Sequence, residues 1–324
     1  MTASAAGTAT EELLRRFRAG RPGALARAIS WVEDGDPRAA ELLEALHADT
    51  GRAWRTGITG PPGAGKSTLA DALASAWAAA GRRTGLIAVD PSSPFTGGAL
   101  LGDRVRMDRA TGEHGVFVRS MASRGSLGGL ALATGAAADL MDAFGFAEIL
   151  LETVGVGQAE IDIAAAADIT VVVLTPASGD GVQAMKAGLM EAADLFVVNK
   201  ADTPGADRLA AELEQVLALR PGADPPPPVL RCRAREGAGV AELAAAIEAR
   251  RAADRASGRL AERRRGRDLA RLRRVLGEIL RTALWRRHGL EARAAEALAA
   301  GERPDAAARR LAAEVLARLQ EESS

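Results

Sequence analysis

Gly60-Pro61-Pro62-Gly63-Ala64-Gly65-Lys66-Ser67 fits the pattern G-x4-G-K-S that grips the phosphates of a nucleoside triphosphate. Glycines without a Cβ let backbone N–H groups turn inward toward phosphate oxygens. Lys66 offers a compact positive charge to the β- and γ-phosphates, and the Ser67 hydroxyl is a ligand for Mg2+. The chemistry requires a strand before the loop and a helix after it. Arg55–Thr59 reads as that strand, and the helix begins near Ser67 and Thr68 and runs to about Ala80, adding its positive dipole end.

Asn199-Lys200-Ala201-Asp202 follows the apolar run Leu195–Val198 and uses the single asparagine of the chain. The Asp202 carboxylate can accept hydrogen bonds from guanine N1–H and its 2-amino group. Adenine has no such donor pair and would leave the carboxylate unpaired. Asn199 braces the loop, and the Lys200 stem can cover the face of the base.

Three acids follow the phosphate loop. Asp90 and Glu152 end predicted strands, and Asp103 lies in a loop. Ligands gather at the carboxyl ends of parallel strands, where a carboxylate can hold Mg2+ or its waters. An exposed acid at a loop start is the plainer reading of each. In Glu152-Thr153-Val154-Gly155, Gly155 can present its N–H to the γ-phosphate. Val156 stands where a water-orienting glutamine often follows that glycine, and Gln158 comes three residues after Gly155, so intrinsic hydrolysis is expected to be slow. The candidate catalytic set is Lys66, Asp90, Asp103, Glu152 and Gln158, with Ser67, Asp90, Asp103 and Glu152 as metal ligands.

Lysine is rare: Lys66, Lys186 and Lys200 are the three among 42 lysines and arginines. A lysine that survives such a bias marks a place where the planar fork of arginine does not serve. Lys186 is the one outside the two motifs, and a surface lysine that touches nothing is its plain alternative.

These residues need an α/β scaffold. Apolar runs at Thr84–Val89, Ala147–Leu151, Ile169–Leu174, Leu195–Val198 and Val229–Cys232 alternate with alanine-rich helical stretches at Thr68–Ala80, Leu127–Phe144 and Gln183–Ala192. The alternation predicts a mostly parallel sheet flanked by helices. Three segments follow: an N-terminal helical extension over 1–52, the nucleotide domain over 53–250 with a stiff Pro225–Pro228 linker, and a C-terminal helical segment over 251–324. The Arg263-Arg264-Arg265 run reads as a solvated helical face.

Equal numbers of acidic and basic residues, 42 each, give no argument for a nucleic-acid or membrane partner. Met1–Arg16 lacks the apolar core of a signal peptide, and no apolar run reaches the length of a membrane helix. The one cysteine, Cys232, fits a reducing, cytoplasmic setting.

With Gly57–Thr68, Ala88–Pro94, Gly102–Met107, Glu152–Gln158, Gly179–Gly188 and the Asn199 motif in hand, the chain resembles the MeaB/ArgK type of P-loop GTPase from about Leu13 to Leu316. These are the methylmalonyl-CoA mutase-associated GTPases. The resemblance implies a P-loop NTPase fold and hydrolysis of GTP to GDP and phosphate. It implies chaperoning of an adenosylcobalamin-dependent acyl-CoA mutase, by gating cofactor loading and protecting or reactivating the enzyme. It assigns Asp90, Asp103 and Glu152 to Mg2+ or switch roles, and Asp180 and Lys186 to a partner-sensing switch. It further implies a homodimer built with the C-terminal helices. The base-contacting loop of such proteins usually carries a Ser-Ala pair. Here it reads Cys232-Arg233-Ala234, so Arg233 stands in the place of the serine. Two other readings share the architecture: a metallochaperone GTPase, and a small-molecule kinase linked to amino-acid transport.

Overall fold

The computed structural model describes residues 3–90, 115–122, 130–153, 159–177, 187–219, 226–287 and 289–321. Asp103, Gly155, Gln158, Asp180 and Lys186 lie outside the described residues, and of Asp90 the backbone alone is described. The chain divides into two compact units, 1–268 and 269–324.

The first unit is built on a seven-stranded parallel sheet in the order β3-β2-β4-β1-β5-β6-β7. Its strands are β1 (Trp54–Thr59), β2 (Thr84–Asp90), β3 (Phe117–Ala122), β4 (Glu148–Thr153), β5 (Ile169–Leu174), β6 (Leu195–Asn199) and β7 (Val229–Cys232). Every residue of β1, β4, β5 and β6 is buried. That is why the sequence there is nearly continuous apolar rather than alternating: both faces of a parallel sheet are covered.

Helices α1 (Ala3–Arg18), α2 (Pro22–Glu33) and α3 (Arg38–Leu46) precede the sheet, and α4 (Lys66–Ala79) follows β1. Next come α5 (Leu130–Ala143), α6 (Ala159–Ala166), α7 (Ala187–Ala192), α8 (Ala206–Ala218), α9 (Val240–Ala256) and α10 (Arg259–Arg287). Helices α1 to α3 share one core with α5 and the sheet: Phe17, Leu25, Ile29 and Leu42 pack with Leu140, Met141, Ile149 and Leu151. The Phe17 ring meets Phe144 edge-on at 5.0 Å. On the other face, Leu69, Leu73 and Trp77 of α4 pack with Leu243 and Ile247 of α9 over Ile58, Val171 and Val197.

Strand β3 was not evident in the sequence. Its Phe-Val-Arg-Ser-Met-Ala run is partly polar because it is an edge strand. Arg119 within it pairs with buried Glu33 of α2.

The arginine run of α10 corrects the expectation of a solvated face. Arg263 donates to both Asp194 oxygens at 2.7 and 2.9 Å. Arg264 donates to both Asp168 oxygens at 3.0 and 2.8 Å, and Arg267 donates to Asp168 at 3.0 Å. Arg265 is exposed. Asp168 and Asp194 are buried just before β5 and β6, where they also accept the backbone N–H groups of Arg55 and Thr170. A buried carboxylate requires such partners, and these come from helix positions far away in sequence. Burial alone would raise the Asp168 pKa, but the Arg264 hydrogen bonds and the charges of Arg267 and Arg264 outweigh it and hold the carboxyl below its ordinary range.

The unfolded chain binds the Asp168 proton more readily than the native one, so the stabilisation is full at neutral pH and is lost as pH falls through the native pKa. Arg264→Ala should therefore cost about 2–3 kcal/mol at pH 7. Urea unfolding should show the difference from wild type shrinking as the solution is acidified. A variant as stable as wild type at pH 7 would show that these pairs contribute nothing net.

The second unit contains α11 (Leu290–Ala299), α12 (Pro304–Glu321) and a small core of Leu290, Leu311 and Val315 with Leu284 and Ala294. Among the described residues no helix is long and apolar enough to cross a membrane.

Candidate nucleotide site

The phosphate loop sits between the end of β1 and the start of α4. Two of its glycines have no substitute. Gly60 has φ 137°, and a Cβ there would lie 2.1 Å from the Val173 carbonyl oxygen. Gly65 has φ 86°, and a Cβ would lie 2.3 Å from the Asn199 side-chain nitrogen. The loop is thus pressed against β5 on one side and against the Asn199 loop on the other. Lys66 is buried at the first turn of α4 and donates from Nζ to the carbonyls of Gly60 at 2.8 Å and Pro61 at 2.9 Å. This holds the charge inside the loop, where phosphates of a nucleotide would be.

Ser67 and Glu152 come together. The Ser67 hydroxyl donates to Glu152 Oε1 at 2.5 Å. The register of β1 with β4 pairs Ile58 with Glu152, which sets this buried carboxylate beside the phosphate loop. Glu152 is the next-to-last residue of β4, one position inside the strand end expected from the sequence. A hydroxyl and a carboxylate oxygen side by side at a helix N-terminus are the hard donors that Mg2+ takes. Asp90 ends β2, two strands from β1, with its backbone opposite Ala122 of β3.

The Asn199 motif forms the other half. Asn199 ends β6 and is buried. Its Nδ2 donates to the Ala64 carbonyl at 2.9 Å, and its Oδ1 accepts the Ala234 N–H at 3.1 Å. One amide therefore ties the phosphate loop to the loop after β7. Lys200 has φ 55°, alone among the described non-glycine residues in positive φ, and its Nζ donates to the Gly63 carbonyl at 3.1 Å. Such backbone is costly for a residue with a Cβ and is kept where geometry matters. Asp202 is exposed and makes no hydrogen bond or ion pair among the described residues, so both oxygens are available.

A pocket of about 350 Å3 lies here, lined by Gly65, Thr68, Asn199, Lys200, Asp202, Thr203, Arg233, Ala234, Arg235 and Glu236. The Cys232 thiol is not part of that lining. It is buried and donates to the Gly239 carbonyl at 3.3 Å, while the Cys232 carbonyl accepts the Ala201 N–H at 3.1 Å. Burial, with the nearby Glu242 charge, pushes its pKa up to about 11, so it is an inert thiol at neutral pH. Thr203, Arg235 and Glu236 were not singled out from the sequence. For Glu236 the only signal is its spacing of three from Arg233.

A phosphate loop, a paired hydroxyl and carboxylate, and a pocket lined by Asn199 and Asp202 on a parallel sheet make up the frame of a P-loop GTPase. The family profile described as methylmalonyl-CoA mutase-associated GTPase MeaB matches residues 25–288, and the chain belongs to that family. A Pyrococcus abyssi protein provisionally named a GTPase is 48% identical over 274 residues, covering 83% of this chain and 85% of that one. The GTPase ArgK of Escherichia coli is 38% identical over 276 residues, covering 82% of this chain and 83% of its own. The mouse mitochondrial methylmalonic aciduria type A homolog is 37% identical over 243 residues, covering 69% of this chain and 59% of that one. A crystal structure of an LAO/AO transport system kinase superposes with a TM-score of 0.72 at 30% identity, covering 95% of this chain and 98% of that one. The chain is a GTP hydrolase.

Proposed function

We propose that this GTPase chaperones an adenosylcobalamin-dependent acyl-CoA mutase of the methylmalonyl-CoA mutase type, gating cofactor loading and protecting or reactivating the enzyme. The observation that carries the reading is membership, over residues 25–288, in the family described as mutase-associated. The protein works in the cytoplasm, a setting that suits its free thiol.

In the proposed mechanism the loop from Gly60 to Thr68 cradles the phosphates, Lys66 turns its Nζ to the β- and γ-oxygens, and Asn199, Lys200, Asp202 and the backbone at Arg233 and Ala234 enclose the base. Ser67 and Glu152, with Asp90 and Asp103, would hold Mg2+ or its waters. When bound, Mg2+ neutralises charge that develops on the phosphoryl oxygens. Gly155 presents its N–H to the γ-phosphate, and Gln158 orients the attacking water in the complex with the mutase.

Asp180 and Lys186 form the partner switch. Lys186→Ala should leave basal hydrolysis within about twofold, as a surface change does, while removing most of the stimulation by the mutase. Lys186→Arg should rescue poorly, since the fork fits a point-charge site badly. The measurement is the GTPase rate with and without candidate cobalamin mutases, beside co-purification in different nucleotides. Equal fold-stimulation of wild type and Lys186→Ala would remove Lys186 from the switch. No mutase binding in any nucleotide state would overturn the chaperone reading.

A homodimer is also proposed. Its support is the exposed stripe Leu269, Leu272, Leu276 and Ile279 on α10, whose three- and four-residue spacing suits a helix–helix seam. The double change Leu272→Glu and Leu276→Glu should convert the sedimenting species from dimer to monomer. A wild-type chain that sediments as a monomer at micromolar concentration would contradict the dimer.

A further inference from the structure

Asp202 can read guanine only while both of its oxygens remain available to the base. Arg233 lines the same pocket as Asp202, and a guanidinium is a charged donor of the kind that pairs with carboxylates. Such pairing would be sequence-neutral. An arginine lying on the carboxylate neutralises it and blocks the donors of guanine without favouring any other base.

The structure shows where Arg233 goes instead. Its Nη1 lies 2.8 Å from Glu236 Oε2. Arg233 immediately precedes a single 3-10 turn, Ala234–Glu236, which Glu236 closes, and the backbone of Arg233 is pinned on both sides. The Arg233 N–H donates to the Ala238 carbonyl at 2.9 Å, and the Arg233 carbonyl accepts the Glu236 N–H at 2.9 Å. The next residue, Ala234, gives its N–H to Asn199. The turn therefore places one carboxylate, Glu236, beside the arginine and leaves the other, Asp202, open.

We infer that Glu236 is a positioning residue for base recognition: it holds the Arg233 guanidinium away from Asp202, so that an arginine in the base pocket does not spoil guanine selectivity. Arg235 also lines the pocket, and the inference assigns the competition to Arg233 and not to Arg235. It rests on Asp202 reading the base.

Both side chains are roughly half exposed, so the pair is a solvent-screened one and the effect is moderate. Glu236→Gln should weaken GDP binding about threefold to fivefold, the range of an exposed ion pair. A merely structural role would weaken all nucleotides alike, so the deciding readout is selectivity. Inosine diphosphate lacks the 2-amino group. Its affinity should change less, so the ratio of GDP to IDP affinity should fall in Glu236→Gln.

Adding Arg233→Ser to Glu236→Gln should restore both the GDP affinity and the ratio. Titration calorimetry of the full chain with GDP, IDP and ADP measures all of these. A Glu236→Gln chain with the wild-type ratio would overturn the inference, as would restoration by Arg235→Ser but not by Arg233→Ser. If wild type binds GDP and ADP alike, the base-site reading itself fails and takes the inference with it. Wild-type discrimination that survives Glu236→Gln unchanged sinks the inference alone.

Discussion

Asp202→Asn should lower GDP and GTP affinity on the order of 10²–10⁴-fold, while binding of xanthine nucleotides rises. In the proposed base site the wild-type carboxylate accepts two hydrogen bonds from guanine, and a bond to a charged group contributes about 1.5–3 kcal/mol, close to tenfold or more each. The amide keeps one acceptor and adds a donor. That donor meets the 2-amino group of guanine as a mismatch and the 2-oxo group of xanthine as a match. The rest of the site should remain, because Asp202 has no partner among the described residues whose loss would disturb the fold. Fluorescent-nucleotide titration with GDP, XDP and ADP measures the change. Equal binding of GTP and ATP by the wild type would remove the basis of the base assignment.

Lys66→Ala should reduce GTP hydrolysis by at least about 10²–10³-fold, the loss seen when one preorganised charge stabiliser is deleted from a transition state. Two effects add. In the proposed site the β- and γ-phosphates lose the Lys66 charge, and the loop loses the Nζ bonds to the Gly60 and Pro61 carbonyls. Nucleotide binding should therefore weaken as well. Glu152→Ala is the informative companion. Glu152 accepts a hydrogen bond from the Ser67 hydroxyl and is a proposed Mg2+ ligand. Its loss should depress Mg2+-dependent hydrolysis far more than GDP binding. Single-turnover hydrolysis set beside GDP titration separates the two variants. Normal hydrolysis by both would show that the chemistry lies elsewhere.

The features legible before any fold was known lie in contiguous residues. The phosphate loop was legible because its glycines answer local demands: the positive φ of Gly60 and Gly65 and the close approach of backbone and amide. The Asn199 motif was legible because strand, turn and reading carboxylate occupy one short stretch. The central strands announced themselves as unbroken apolar runs, since burial on both faces leaves no room for alternation.

The features set by the fold alone lie between distant segments. The strand order could not be read from consecutive residues, and edge strand β3 carried too mixed a pattern to be seen. The sequence offered Arg263 and Arg264 as surface charges, yet they serve buried Asp194 and Asp168, separated from them by 69 and 96 residues. Asn199 bridges 135 residues back to Ala64 and 35 forward to Ala234, which makes one site of two motifs. The physical reason is the range of each constraint. Backbone conformation and one-face burial are imposed by neighbours in the chain and leave a local pattern. The pairing of a buried charge is imposed by whatever the fold brings beside it, and no local pattern records that partner.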